Sequence, residues 1–191
     1  AVIQSDNPAE LSNMLGYNFR MGEIEAAIAS VQLQKLASRV ESRQRIAEEL
    51  DAGLSLLRGL RTPKVFDGAT HVYYVYGLVL DVEELGVSRE RILEALRAEG
   101  VPGLMGGYQN LHLFPLFRNK IAYGTKGFPW TSPYCETQRY YGPGLCPVAE
   151  KLHNETFLGL SICLNELPTE DVVLIVEAFH KVWKNLDQLN G

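Results

Sequence analysis

The chain has 191 residues, of which 46% are hydrophobic and 21% are charged, and its formal net charge is -5. This balance is that of an ordinary globular protein with a sizeable core. The acidic net charge argues against a nucleic-acid-binding surface. No apolar run approaches the ~18 residues that a membrane span needs. We therefore expect a globular protein that binds neither nucleic acid nor a membrane.

Cysteine content and the first residues both favour a cytoplasmic protein. Cys135, Cys146 and Cys163 have neither a zinc-binding spacing nor the pattern of a disulfide framework. The first residues have neither the basic start nor the long apolar centre of a signal peptide. The chain has no initiator methionine and opens on a segment without helical or strand periodicity. We therefore expect it to be part of a longer protein.

A long helical pattern follows an opening loop of about 20 residues. It runs from Gly22 to about Arg58, and its first turn carries Glu23 and Glu25, where the helix dipole favours negative charge. Apolar residues recur at spacings of three and four: Ala29, Leu33, Leu36, Val40, Ala47, Leu50, Leu54 and Leu57. Because such a helix exceeds the usual globular length, we expect it to bend near Gly53 or to bridge two parts of the protein.

Shorter elements follow this helix. The stretch "HVYYVYGLVL" (His71 to Leu80) is rich in aromatic and β-branched residues, which predicts a strand. A helix is predicted from Ser88, a capping residue, to Gly100, a stop signal. The segment "VPGLMG" predicts a second strand, and Thr156 to Leu164 predicts a third.

The last part of the chain combines a long irregular stretch with a terminal helix. Glycine and proline mark the stretch from Pro115 to Pro147, and a loop of that length is usually functional or disordered. Its tyrosines and Trp130 favour an ordered loop. The terminal helix is predicted to have Thr169 as its N-cap and a buried face of Val172, Val176, Phe179 and Trp183. The order of elements predicts an α+β fold, with a small sheet covered by helices on one side.

No familiar catalytic motif is complete in this sequence. The glycines of "GLMGGY" lack the spacing and the following helix of a dinucleotide loop. We expect His71, His153 and His180 to be structural or surface residues. His112 differs, because "YQNLHLFPLF" places it near Tyr108 in a cluster of polar and aromatic groups that is typical of a pocket lining.

A second cluster, Tyr17, Asn18, Phe19 and Arg20, stands just ahead of the long helix. Free backbone N–H groups at a helix start suit an anion such as a phosphate. The Asn18 amide and the permanent charge of Arg20 would strengthen such a site. The alternative is that Asn18 caps the helix, the aromatic residues staple it and Arg20 is solvated.

Four stretches resemble, in order, the DegT/DnrJ/EryC1/StrS family of PLP-dependent sugar aminotransferases. They are "GYNFRMGEIEAAIASVQLQKL", "HVYYVYGLVL", "GVPGLMGGYQNLHLFPLF" and "CPVAEKLHNETFLGLSICLNELPTEDVVLIVEAFHKV". The resemblance implies the C-terminal part of a fold-type I aminotransferase. Residues 1–21 would carry a cofactor and interface motif, 22–60 a long interdomain helix, and 61–191 a small α+β domain with a mostly antiparallel sheet.

The resemblance also implies roles for individual residues. Asn18 and Arg20 would bind the phosphate of pyridoxal 5′-phosphate (PLP) across a homodimer interface, so that the active site is shared between subunits. Tyr17, Tyr108 and His112 would contact the substrate. The family's Schiff-base lysine lies upstream of the motif and has no counterpart here, so we expect the chain alone to be inactive.

The implied reaction transfers an amino group from an amino acid, with glutamate as the expected donor, to a keto sugar that is expected to be nucleotide-linked. Within the family the alternative is a PMP-dependent sugar dehydratase, in which histidine replaces the lysine. An alternative of another class is a non-catalytic binding or oligomerisation module. We expect the isolated chain to form a dimer or higher oligomer through Leu15 to Leu36, or to be poorly soluble.

Overall fold

The computed structural model describes residues 20–124, 126–136, 139–161 and 167–190. The chain forms two compact units, residues 1–39 and 40–191. The predicted opening loop therefore lies almost entirely outside the described residues. No helix in the described ranges is both long enough and apolar enough to cross a membrane.

The predicted long helix is in fact two helices. The first, α1, covers Glu23–Leu33, carries its two predicted acids in the first turn and buries none of its residues. A turn at residues 34–35 follows, in which the Lys35 N–H bonds to the Gln32 carbonyl at 3.0 Å. Such tightened turns end helices without a glycine or proline, so the sequence contains no signal for this break.

The second helix, α2, covers Leu36–Leu54. It ends before the predicted end at about Arg58, one residue after Gly53, where a bend is one of the two expectations. Successive turns follow its last residue, with the Leu57 N–H bonded to the Leu54 carbonyl. Gly59 has a φ of +65°, which glycine adopts readily, and this turn leads the chain into the sheet.

The second unit contains a four-stranded antiparallel sheet in the order β1-β2-β4-β3. Its strands are β1 (Leu60–Arg61), β2 (Tyr76–Leu80), β3 (Leu104–Gly106) and β4 (Phe157–Leu160). In the register, Leu158 lies opposite Leu78 on one side and Gly106 on the other. This arrangement confirms the predicted small antiparallel sheet of an α+β fold.

Two strands are shorter than the sequence predicts. The predicted strand from His71 starts only at Tyr76, because Tyr73 has a φ of +48° that interrupts the extended backbone. The strand predicted from Thr156 to Leu164 ends at Leu160, and residues 162–166 lie outside the described residues.

The described residues of the second unit form five further α-helices. They are α3 (Val82–Leu85), α4 (Arg89–Ala98), α5 (Pro115–Arg118), α6 (Pro147–Lys151) and α7 (Thr169–Lys184). The second unit also contains a 3₁₀ turn at Leu111–Leu113 and a π-helical turn at Leu152–Thr156. The capping of α4 is as predicted: the Ser88 hydroxyl accepts the Arg91 N–H, and Gly100 follows the helix with a φ of +87°.

The cap predicted for α7 is wrong. Pro168 is the N-cap residue, and Thr169 is the first residue of the helix. The Thr169 hydroxyl is engaged elsewhere, since it accepts from the Arg45 guanidinium and donates to the Glu49 carboxylate, each at 3.1 Å. The buried face also differs from the prediction, because Val176 and Trp183 are only partly buried. The buried residues of α7 are Val172, Ile175, Ala178, Phe179 and Val182.

The core lies between α2, the sheet, α4 and α7. Tyr76 of β2 is fully buried, and its hydroxyl donates to Asp51 Oδ1 of α2 at 2.6 Å. Burial and then this hydrogen bond raise the pKa of the Tyr76 hydroxyl far above its usual range. The aliphatic residues without solvent exposure are Ile46, Ala47, Leu50, Leu54, Leu78, Ile92, Leu96 and Leu158.

Candidate functional site

The first part of the candidate site is the loop of residues 107–113, which follows β3. Its first residue, Gly107, has a φ of +68°, and a Cβ there would collide with the backbone oxygen of His153. The Gly107 N–H bonds to the Phe157 carbonyl at 3.1 Å, and the Tyr108 N–H donates to His153 Nδ1 at 2.9 Å. The start of the loop is thus fixed to the π-helical turn. The Tyr108 side chain itself is 74% exposed and open to a ligand.

His112 lies in the 3₁₀ turn of the same loop. Its side chain is 9% exposed, and its Nε2 atom lies 2.8 Å from Oε1 of Glu150 on α6. The carboxylate also accepts the backbone N–H groups of Gly144, at 2.9 Å, and Cys146, at 3.1 Å. The Gly144 N–H lowers the pKa of Glu150, and the contacts with Cys146 and His112 add to this against the opposing effect of burial. Glu150 therefore favours a carboxylate that faces one ring nitrogen of His112.

A buried arginine supports this arrangement from α4. Arg89 is only 7% exposed, and its guanidinium donates to the His153 carbonyl at 2.6 Å and to the Asn154 carbonyl at 3.0 Å. It also binds Glu90 at 2.6 Å. Burial opposes ionisation of Glu90, but its own backbone N–H and Arg89 outweigh this effect and lower its pKa. The π-helical turn that contacts the loop is thus anchored to a core helix.

Sequence patterns did not identify Glu150 or Arg89, and they gave His153 only a structural role. The contacts from Glu150 to His112, from His153 to Tyr108 and from Arg89 to Asn154 span 38 to 65 positions, so local spacing carries no signal for them. Asn110, in the same loop as His112, has an unusual environment. It is 6% exposed, and its side-chain oxygen is buried without a hydrogen-bond partner in the part of the chain that the structure describes. Such groups are uncommon in folded proteins.

The other two predicted structural histidines form hydrogen bonds consistent with that role. His71 Nδ1 accepts the Tyr73 N–H at 2.8 Å, and its ring stacks on Tyr73 with centroids 4.2 Å apart. His180 Nε2 lies 2.8 Å from the Gly53 carbonyl. No three His, Cys, Asp or Glu side chains among the described residues are grouped so as to hold a metal ion.

The long stretch between α5 and α6 is ordered around aromatic rings, as its composition suggested. Phe117 stacks on Tyr141 with centroids 5.5 Å apart, and Trp130 packs edge-on against both rings. The Trp130 N–H donates to the Tyr141 hydroxyl at 3.3 Å. This aromatic cluster holds together the described parts of the stretch that leads into Gly144 and α6.

Only Arg20 of the predicted phosphate motif is described, since Tyr17 and Asn18 lie outside the described residues. Arg20 is exposed in the first unit, whereas Tyr108 and His112 belong to the second. Gly22 caps α1 without a side-chain hydrogen bond. The Glu25 carboxylate folds back to the position that a Cβ of Gly22 would occupy. A phosphate here would therefore depend on Asn18 and Arg20 rather than on the start of α1.

Comparisons with known proteins agree with the fold. The sequence model of the DegT/DnrJ/EryC1/StrS aminotransferase family matches residues 3–138. A putative L-glutamine:3-amino-2,3-dideoxy-scyllo-inosose aminotransferase of Streptoalloteichus tenebrarius is 30% identical over 92% of this chain and 42% of its own length. The spore coat polysaccharide biosynthesis protein SpsC of Bacillus subtilis is 29% identical over 60% of this chain and 29% of its own length.

Solved structures show the same architecture. The aminotransferase TlmJ from Streptoalloteichus hindustanus matches with a TM-score of 0.62 and 27% identity, over 85% of this chain and 36% of TlmJ. DesV of S. venezuelae, solved with a ketimine intermediate, matches with a TM-score of 0.66 and 19% identity, over 94% of this chain and 41% of DesV. The predicted fold class is thus confirmed. The chain spans 29% to 42% of the length of these curated relatives.

Proposed function

Because the chain belongs to the DegT/DnrJ/EryC1/StrS aminotransferase family, we propose that it is the C-terminal part of an enzyme that transfers an amino group from an amino acid to a keto sugar or a sugar-derived cyclic ketone. The observation that carries the proposal is the family match over residues 3–138. The loop of residues 107–113 supports it, since the loop presents an exposed tyrosine and an oriented histidine near its two ends.

The names of relatives define the substrates to test. The relative from S. tenebrarius is named for an L-glutamine donor and an amino-inosose acceptor. DesI, whose structure was solved with its TDP-sugar product, shares 17% identity and hence only the fold. The donors to test are therefore glutamate, which the family resemblance leads us to expect, and glutamine; the acceptors to test are a nucleotide-linked keto sugar and a keto cyclitol.

The cofactor of this family is PLP, which supplies the electron sink that allows an amino group to leave one carbon and join another. The donor set at the start of the chain suits its phosphate, because Arg20 is an exposed permanent cation and Asn18 adds amide donors. We propose that these two residues hold the phosphate and that Tyr17, Tyr108 and His112 contact the substrate.

We also propose that the active site is shared in a homodimer, with Asn18 and Arg20 serving the cofactor of the other subunit. Small residues near the start of α1, Ala26, Ala27, Ala29 and Ser30, would permit close approach of another element. The larger apolar side chains of α1 are exposed, which is typical of a contact surface; they are Ile24, Ile28, Val31 and Leu33.

The test of the reaction uses the complete gene product that contains this chain, purified with PLP. Each donor, glutamate or glutamine, is paired with each acceptor, and the products are identified by mass spectrometry. The account predicts an aminated acceptor with one of the donors. A dehydrated sugar without added nitrogen would instead identify a sugar dehydratase, and no turnover with any pair would favour a non-catalytic module.

The phosphate proposal has its own test in Asn18→Ala. Loss of a hydrogen bond to a charged phosphate weakens retention of PLP by about one to two decades in affinity. Equilibrium dialysis of the cofactor measures this effect, and Asn119→Ala, an exposed asparagine of the second unit, serves as the control. Unchanged affinity in the folded Asn18→Ala protein would show that Asn18 does not hold the phosphate.

A further inference from the structure

The contact between His112 and Glu150 joins the loop of residues 107–113 to α6 across 38 positions of the chain. Both side chains are largely buried, with 9% of His112 and 16% of Glu150 exposed. A carboxylate only accepts hydrogen bonds, so at 2.8 Å the Nε2 atom of His112 is the donor. This contact therefore determines which nitrogen of a neutral imidazole carries the proton.

Glu150 is itself held in place from the other side. The Gly144 N–H lies 2.9 Å from both carboxylate oxygens, and the Cys146 N–H lies 3.1 Å from the oxygen that contacts His112. These donors are backbone groups directly before α6, so the carboxylate has little freedom to follow the ring. The imidazole must adjust to Glu150 rather than the reverse.

The other ring nitrogen of His112, Nδ1, is not the atom that contacts Glu150. His112 Nδ1 has no hydrogen-bond partner within residues 20–124, 126–136, 139–161 and 167–190. In a neutral imidazole with its proton on Nε2, Nδ1 is an acceptor. A hydroxyl or amino group of a sugar-like substrate is a donor of the kind that such a nitrogen binds.

We propose that Glu150 is a positioning residue, which holds His112 with its proton on Nε2 and so offers Nδ1 as the acceptor for a hydroxyl group of the keto substrate. This inference rests on the proposed function for its substrate, but the positioning itself does not. Glu150 does not touch the substrate and acts only through His112. The same carboxylate that organises the turn before α6 thus prepares the binding loop.

The first test observes the ring directly in the chain without cofactor or substrate. Long-range ¹H–¹⁵N correlation of ¹⁵N-histidine-labelled protein identifies the tautomer of His112 above pH 7, with His112→Asn used to assign its signals. The proposal predicts a single tautomer protonated at Nε2. A proton on Nδ1, or exchange between two tautomers, would overturn it whatever reaction the protein catalyses.

The second test uses steady-state kinetics of the complete, PLP-loaded gene product. Glu150→Gln keeps an acceptor oxygen and the side-chain size but removes the charge, and Glu155→Gln is the matched control on an exposed residue of the next turn. We expect Glu150→Gln to lower kcat/KM for the keto acceptor roughly tenfold while the half-reaction with the amino donor is unchanged. Glu155→Gln should leave both unchanged.

The decisive comparison is made in a His112→Asn background. If Glu150 acts through His112, Glu150→Gln causes no further loss there, because the two effects are not additive. An equal loss in both backgrounds, or an equal loss in both half-reactions, would show a general structural role and contradict the proposal. If no acceptor is aminated by the wild type, the proposed function fails, and the NMR experiment still decides whether Glu150 fixes His112.

Discussion

Helix α2 shows two outcomes of one sequence pattern. Near its start Leu36 is 51% exposed, and the apolar residues of α1 before it, Ile24, Ile28, Val31 and Leu33, are 51% to 76% exposed. Further along the same helix, Ile46, Ala47, Leu50 and Leu54 are not exposed at all. The spacing of three and four residues predicts a helix with a contact face in both cases. It does not reveal whether the surface that covers this face belongs to the same chain.

This difference in exposure distinguishes the two regions by what covers their apolar side chains. The apolar face of α2 from Ile46 to Leu54 is buried in the core of the second unit. In the sequence, the exposed stripe of α1 and the start of α2 follows the motif proposed to serve the cofactor. We infer that the stripe contacts another part of the complete enzyme or the partner subunit.

The largest expected effect is on the free energy of unfolding, and it distinguishes a buried leucine of the second unit from an exposed leucine of the first. Leu50→Ala removes a side chain with no exposure, so it should lower the free energy of unfolding by about 2–5 kcal/mol. Leu33→Ala, at a position that is 68% exposed, should change it by less than about 0.5 kcal/mol. Urea denaturation followed by tryptophan fluorescence measures the effect of each substitution on unfolding of the second unit, where Trp130 and Trp183 lie. Equal losses would contradict the division.

A smaller effect is expected from the polar contacts that order the candidate site. Arg89→Met leaves the carbonyls of the π-helical turn without their donor, which should cost about 1–3 kcal/mol. Arg91→Met, at a side chain that is 57% exposed, is the control and should cost little. Hydrogen exchange of the Tyr108 amide should also accelerate in Arg89→Met. Unchanged exchange would show that Arg89 does not support the loop.

Tyr76→Phe probes the contact between α2 and the sheet within the second unit. It removes the hydroxyl that donates to Asp51 at 2.6 Å and keeps the ring, so we expect a loss of about 1 kcal/mol. Tyr134→Phe, at a residue that is 93% exposed, should have no measurable effect. Chemical denaturation of the three proteins gives the comparison. A neutral Tyr76→Phe would mean that burial of the ring alone joins these elements.

The smallest effect concerns pH and Glu150. Because the pKa of Glu150 is lowered in the folded protein, its carboxylate contributes stability that is complete above the ordinary value of 4.5 and is lost as the pH falls through the lowered one. The difference in melting temperature between wild type and Glu150→Gln should therefore narrow below about pH 4.5. A difference in melting temperature that grows as the pH falls would contradict the lowered pKa of Glu150.

Much of the fold was predictable because its signals are local. The capping serine and stop glycine of α4 defined that helix, and glycine- and proline-marked "VPGLMG" identified β3. The break at residues 34–35 was not predictable, since no glycine or proline marks it. Nor was the positive φ of Tyr73, which shortens β2 although tyrosine favours strands.

The candidate site was predictable only in part, for a related reason. A run of polar and aromatic residues around His112 indicated a pocket lining, and that loop proves to be anchored at both ends. The residues that anchor it, Glu150, His153 and Arg89, are distant in sequence, and only the folded chain brings them to the loop. Tyr17 and Asn18 remain predictions that come from the family resemblance.

Light scattering of the purified chain at micromolar concentration tests most directly whether the exposed stripe of the first unit is a contact surface. The account predicts a dimer or higher oligomer, or poor solubility, and it predicts that Ile28→Glu in this stripe shifts the chain toward a soluble monomer. Glu41→Gln, an exposed substitution on α2, should leave the wild-type behaviour unchanged. A wild-type chain that is a clean, soluble monomer would show that the stripe does not drive association and would contradict the account.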